Sequence, residues 1–173
     1  KKSGERFCVS VSASPIYDPK GEVIGSTAII SNVTDRKLAE QASKQAEEAL
    51  WESELRFRSV WEKGTDGMRI TNEEGIIVLV NDAYSKMVEK PREEIEGKPM
   101  SIVYEETKQA EVLRKHQERF RSRNISAHLE RELVLWNGKR IFLELTNTFL
   151  ENPHQPTLSL SVFRDITGRK RAE

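Results

Sequence analysis

Apolar and polar positions along this chain fall into distinct regimes. From Phe7 to Ala13 (Phe7-Cys8-Val9-Ser10-Val11-Ser12-Ala13) they alternate one by one, the period of a half-buried strand. A Pro-containing turn and a second strand follow, ending near Asn32. Residues 35–62 contain neither Pro nor Gly and are rich in Ala, Glu, Lys, Gln and Arg, all strong helix formers. Their apolar members, Leu38, Ala42, Ala46, Ala49, Leu50, Phe57, Val60 and Trp61, recur mostly three or four apart, so one helix with a narrow apolar face is predicted. Glu52 and Arg56, and Glu54 and Arg58, stand at the i,i+4 spacing that supports it. A long helix with so thin a stripe cannot bury itself alone. The stripe predicts a two-stranded coiled coil, with a solvated connector as the other reading.

Residues 63–167 read as a complete domain. Met68–Thr71 and Ile76–Val80 are short strands around a turn at Asn72–Gly75. Asn81 caps a helix running through Val88, which Pro91 stops. Residues 105–123 form a charged amphipathic helix with Val112, Leu113, His116 and Phe120 on one face. Three strands close the domain: residues 126–136, 139–150 and 158–165, the first two joined by the hairpin signal Asn137-Gly138. Two strands, several helices and three strands predict an α+β fold: a five-stranded antiparallel sheet with helices on one face.

The chain also repeats itself. Residues 4–40 and 138–173 match throughout with a one-residue difference in length, pairing Gly4 with Gly138, Arg6 with Arg140, Thr34 with Thr167, Arg36 with Arg169, Lys37 with Lys170 and Glu40 with Glu173. Each copy runs from a Gly turn through two strands to a Thr and a charged helix. About 70 residues of domain-like pattern precede the second copy, whereas almost nothing precedes the first. Residues 1–34 are therefore expected to be the closing hairpin of a truncated domain. A lone hairpin is marginal in water, so it should either lack fixed order or pack on a neighbouring domain or chain. The expected organisation is a hairpin at 1–34, a coupling helix at 35–62, a complete domain at 63–167 and the start of an output helix at 168–173.

Charge narrows the partners. The chain has 28 basic and 28 acidic residues and no net charge, which speaks against a nucleic-acid partner and a polybasic membrane anchor. Its longest clean apolar run, Ile76–Val80, is far short of the roughly 20 residues of a membrane span. No signal peptide is visible, and a cytoplasmic location is expected. The single cysteine, Cys8, leaves no intramolecular disulfide and little prospect of a Cys-ligated metal.

Alternation along the late strands defines a candidate pocket. Ala127, Leu129, Arg131, Leu133 and Leu135 share one face, and Ile141, Leu143, Leu145 and Asn147 share the corresponding face of the next strand. Arg131 and Asn147 are thus the polar members of apolar faces, the arrangement that orients a small ligand. The pocket reading gives Arg131 a small anionic ligand, with Asn147 assisting and His116, Met68 and Ile70 completing the lining. The plainer reading puts Arg131 near the sheet edge, paired with a surface Glu.

Asp66-Gly67 with Met68–Ile77, then Val80-Asn81-Asp82-Ala83-Tyr84, Pro91–Lys98, Asn137-Gly138 and Asp165-Ile166-Thr167-Gly168-Arg169-Lys170, resemble in order and spacing the PAS family of sensory domains. Asn32-Val33-Thr34-Asp35-Arg36-Lys37 resembles the same closing Asp-x-Thr motif with Asn for Asp. The resemblance implies a signal-input module of a modular sensor. The expected parent is a histidine kinase in a two-component system, with a cyclic-di-GMP enzyme as the alternative. A ligand-free dimerisation spacer is the further alternative. It implies signal coupling at Asp165, Thr167 and Arg169 and at Asn32, Thr34 and Arg36, through an Asp165–Arg169 ion pair that Asn32 could not make with Arg36. It also implies a homodimer, through the coupling helix and this domain, driving an output domain further along the polypeptide. Flavin adduct chemistry needs a Cys in the central helices, and the domain has none. The haem branch places a His on the long helix, but the matching position falls nearer Leu113 than His116. No enzymatic motif is visible: no Pro follows His116 as in a phosphoacceptor box, and no Gly-rich phosphate loop follows a strand. No catalysis is expected within this chain.

Overall fold

The computed structural model describes Gly4 and residues 6–172. Glu173, the partner of Glu40 in the repeat, lies outside the described residues, as do residues 1–3 and 5 of the first copy. The chain divides into two compact units between Arg56 and Phe57.

In the first unit, β1 (Val9–Tyr17) and β2 (Val23–Asn32) pair antiparallel as a hairpin. Asp18 closes its turn: Oδ1 accepts from the backbone N–H groups of Lys20 and Glu22, both at 2.8 Å, an Asx turn. All residues of both strands are exposed, so the clean alternation of β1 is not spent on burial within this unit. Helix α1 (Thr34–Lys63) follows, made by the predicted run of helix formers. Trp61 is its one buried residue among those described.

The second unit begins with the last turns of α1, where Phe57 stacks on Trp61 at 5.6 Å between ring centroids. It continues through β3 (Gly67–Thr71), β4 (Ile77–Val80), α2 (Asp82–Val88), α3 (Arg92–Ile95), a 3-10 turn (Met100–Val103), α4 (Glu106–Ser122), β5 (His128–Val134), β6 (Arg140–Asn152), β7 (Gln155–Asp165) and α5 (Thr167–Ala172). The five strands form one antiparallel sheet in the order β4-β3-β7-β6-β5. The first and last strands of the domain, β3 and β7, therefore lie side by side in its middle. β5 and β4 are the edges.

Local signals explain the joints. Asn81 caps α2 by accepting from the Tyr84 N–H at 2.9 Å. Its Oδ1 also accepts from Met68 N at 2.8 Å, and its amide donates to the carbonyls of Trp61 and Asp66, each at 3.0 Å. One buried side chain thus ties α1, β3 and α2 together. The β5–β6 hairpin turns at Asn137-Gly138, with Gly138 at φ +80°, a value only Gly adopts freely. Val88 of α2 and Ile95 of α3, with Ile77 and Val80 of β4, Leu135 beyond β5, Ile141 and Leu143 of β6 and Phe163 of β7, fill the core. Each fully buried side chain of this size contributes about 1.5–3 kcal/mol.

Candidate functional site

The inner face of the sheet is apolar toward Leu135 and Ile141 and becomes polar at its centre. Three strands contribute one polar row: Arg69 of β3 lies opposite Ser161 of β7, and Ser161 lies opposite Asn147 of β6. Thr71 and Ser159 form the next rung. Arg69, Thr71, Ser159 and Ser161 are all buried. Ser161 Oγ donates to Asn147 Oδ1 at 2.8 Å, and Asn147 Nδ2 donates to the Ser126 carbonyl at 3.1 Å. A small cavity of about 30 Å³ lies over this row, lined also by Tyr104, His116, Leu129, Arg131 and Leu145.

Two guanidinium groups face each other's phenol partners here. Arg69 is only 4% exposed. Its Nη1 donates to Tyr84 Oη at 3.1 Å, and its Cζ lies 4.9 Å from the Phe163 ring centre. Arg131 Nη2 donates to Tyr104 Oη at 2.6 Å. Neither arginine forms an ion pair among the described residues, and the Nε of each is buried without a partner. Burial pushes the Tyr84 phenol above its ordinary value, with Arg69 opposing. Burial also opposes ionisation of Tyr104, but the charges of Arg131 and Arg69 outweigh it and hold that phenol below its ordinary value.

The cavity meets a wider groove of about 280 Å³ between α4 and β5. Met100, Tyr104, Arg119 and Arg131 line both spaces, so they form the neck between groove and cavity. Tyr104 is fixed at that neck by backbone: it ends the 3-10 turn and bridges to Leu135. His116, on the inner face of α4, donates through Nε2 to the Asn72 carbonyl at 2.8 Å, since a carbonyl can only accept. Burial holds its pKa below the ordinary value, the Asn72 bond opposing.

At the exit of the sheet, Asp165 Oδ1 accepts from Thr167 N at 2.8 Å, and Thr167 Oγ1 accepts from the Phe142 N–H at 2.9 Å. The N–H of Ile166 donates to the Phe142 carbonyl at 2.8 Å. The first unit repeats this joint at the matching residues. Asn32 Oδ1 accepts from Thr34 N at 3.0 Å, Thr34 Oγ1 accepts from Cys8 N at 2.9 Å, and Val33 N donates to the Cys8 carbonyl at 2.9 Å.

A family model described as the PAS fold matches residues 55–166, and one described as a PAS domain matches residues 1–35. The chain belongs to the PAS family. Its fold is that of the PAS domain of an HTR-like protein from Haloarcula marismortui, with a TM-score of 0.55 at 17% identity over 71% of this chain and 99% of that one. The PAS domain of a protein from Colwellia psychrerythraea gives 0.52 at 17%, over 66% and 98% of the two chains. A domain of a sensory box sensor histidine kinase/response regulator from Geobacter sulfurreducens gives 0.51 at 20%, over 65% and 95%. Among curated proteins none matches the sequence. PAS domains are sensory modules, and no described helix is long and apolar enough to cross a membrane.

Within the PAS domain the candidate residues separate. Arg131, Asn147, His116, Leu129 and Leu145 line the inner cavity. Leu133 lines the outer groove, and Leu143 lies in the core. Met68 and Ile70 fall on the opposite face of β3, because the pleat turns Gly67, Arg69 and Thr71 inward. Arg69, Tyr104, Ser159 and Ser161 are among the cavity residues that sequence reasoning missed, as is Tyr84, the hydrogen-bond partner of Arg69. At the exit, Arg169 pairs with Glu130 of β5 at 2.7 Å rather than with Asp165, and Lys170 joins the same carboxylate at 3.1 Å. Asp165 is already committed to the Thr167 N–H. Arg36 pairs with Glu40 at 3.5 Å on its own helix.

Proposed function

We propose that this chain is the sensory part of a multidomain, cytoplasmic signalling protein of the sensor histidine kinase kind in a two-component system. It works as a homodimer through α1 and the second PAS domain and drives an output domain through α5. Its input is a small anionic ligand in the inner cavity, with Arg131 at the neck and Asn147 within the polar row. One observation carries this reading: Arg69 and Arg131 both line the cavity, each bonded to a phenol and neither to a carboxylate among the described residues. Buried charge without a counter-ion is costly, and an anion arriving from solvent relieves it. The chain then responds by a population shift between two arrangements of its exit helix.

Native mass spectrometry of the purified chain, with an absorption spectrum of the same sample, tests this. A dimer carrying a small extra mass and no visible band is the expected result. Arg131→Ala should abolish retention of that mass, and unchanged retention would sink the role of Arg131. A second reading, a ligand-free dimerisation or spacer module, has its own support in the size of the inner cavity. A space of about 30 Å³ holds one water, so a ligand must first open the Arg131–Tyr104 neck. A bare dimer, with no anion restoring extra mass, would favour it.

A further inference from the structure

Resting on that reading of the cavity, we infer that the ligand is a small dianion, held at one charge by Arg69 at the end of the cavity and at the other by Arg131 at its neck. The lining decides the charge. Asp and Glu are absent from the described residues around the inner cavity, whereas Arg69, Arg131 and, half-buried on the groove side, Arg119 line it. Arg69 is buried, at 4% exposure, and its side-chain partners are phenols, Tyr84 by a hydrogen bond at 3.1 Å and Tyr104 beside it. A guanidinium carries five N–H donors in a planar fork. The Nε of Arg69 is buried without an acceptor. The neighbouring Thr71 hydroxyl is buried and unpartnered too.

A surface arginine tolerates such a deficit because water supplies acceptors. A buried one does not. Arg92 shows the contrast within the same domain: its Nε is also orphaned, but its other nitrogens hold Glu62 and, at 2.7 Å, Asp82. Arg69 and Arg131 have phenols where Arg92 has carboxylates. A monoanion held at the half-buried Arg131 would leave Arg69 buried and uncompensated. Two negative charges match Arg69 and Arg131, while the half-exposed Arg119 at the groove side has solvent water for its donors, and each guanidinium fork suits a carboxylate or phosphate edge-on.

The route fits the same ligand. The α4–β5 groove leads to Arg131, and the neck opens by exchanging the Arg131–Tyr104 bond for a bond to the incoming anion. Arg69 then takes the second charge beneath it. Ser159 and Ser161 of β7 stand beside Arg69 in register, as hydroxyls within the same lining. The shared chemistry is a compact double negative charge, carried either by two carboxylates or by one phosphate group.

The test is isothermal titration calorimetry on the full chain, freed of any co-purifying mass, at constant ionic strength. The probes are malonate, succinate, inorganic phosphate, and acetate and butyrate as monoanions. The dianions should bind at least about tenfold tighter than the monoanions, a gap of about 1.4 kcal/mol. Tighter succinate or malonate binding would identify a dicarboxylate ligand, and tighter phosphate binding a phosphate one. Arg69→Met should abolish the preference for dianions. It should also raise the Tm of the ligand-free chain, because an unpaired buried charge gives way to an apolar side chain. Arg131→Lys, which keeps the charge but loses the fork, should weaken dianion binding about tenfold. Equal binding of mono- and dianions, with Arg131 required and Arg69 dispensable, would overturn the dianion while leaving an anionic ligand in place. If a folded wild-type chain binds none of the anions, the dianion and the anionic-ligand reading fall together.

Discussion

Gly75 shows how one residue fixes the wall of the cavity. It sits at φ +85° in the β3–β4 turn, and a Cβ there would lie 2.5 Å from Leu113 Cδ1 and 3.3 Å from His116 Cδ2. An L side chain in this left-handed region costs about 1–2 kcal/mol, and the clash with α4 adds to it. Gly75→Ala should therefore lower the Tm by several degrees and displace His116 from the Asn72 carbonyl. Thermal unfolding, together with the His116 imidazole NMR signals, measures both. The Asn72–Gly75 turn, the Asn81 cap and the Asn137-Gly138 hairpin were legible because each rests on local chemistry. Arg69 was not. In the Met68-Arg69-Ile70-Thr71 stretch, the apolar pair is the ordinary choice for the inner face of a strand. The sheet reverses it: Arg69 and Thr71 turn inward, onto a row of serines that the sequence places ninety residues away.

Among the elements, α5 is joined to the sheet by charge as well as by backbone. Glu130 on β5 holds both Arg169 and Lys170, and these hold its carboxyl below the ordinary range, the Lys170 hydrogen bond being the largest cause. Glu130 and Arg131 are neighbours on one edge strand, so their side chains point to opposite faces. On the proposed function, a shift of β5 at the neck reaches the exit helix by this route. Because the folded-state pKa is depressed, the tether is present above the ordinary carboxylate value and lost as the pH falls through the depressed one. Spin labels on α5 and β6 should report a broader distance distribution in Glu130→Gln at neutral pH, matching wild type at low pH. An unchanged distribution would show that the backbone joint alone holds α5. Sequence offered Asp165 as the partner of Arg169 because it lies four residues away. The cross-strand partner, thirty-nine residues distant, leaves no local pattern.

For the molecule as a whole, the order of elements and the internal repeat were legible from periodicity and turn chemistry. Strand order was not, since pairing of the first strand of the domain with the last is a long-range choice. The exposed stripe of α1 carries the main prediction at this scale. Leu38, Leu50, Phe57 and Val60 are all exposed along it, which a paired helix would cover. Analytical ultracentrifugation should find a dimer, and Leu50→Glu should shift it toward monomer without changing the cooperative unfolding of residues 57–173. A monomer in the unmodified chain would remove α1 as the dimer seam.

The joint that closes each copy has one further consequence. Three hydrogen bonds recur with the same donors and acceptors at Asn32, Thr34 and Cys8 and at Asp165, Thr167 and Phe142. They need only a short side-chain acceptor, a threonine hydroxyl and backbone, and nothing from the surrounding core. Such a seam is a standard fitting. In both copies the helix leaves from the same local geometry. Cassettes can then be exchanged, lost or duplicated at this point in evolution without redesigning the helix that follows.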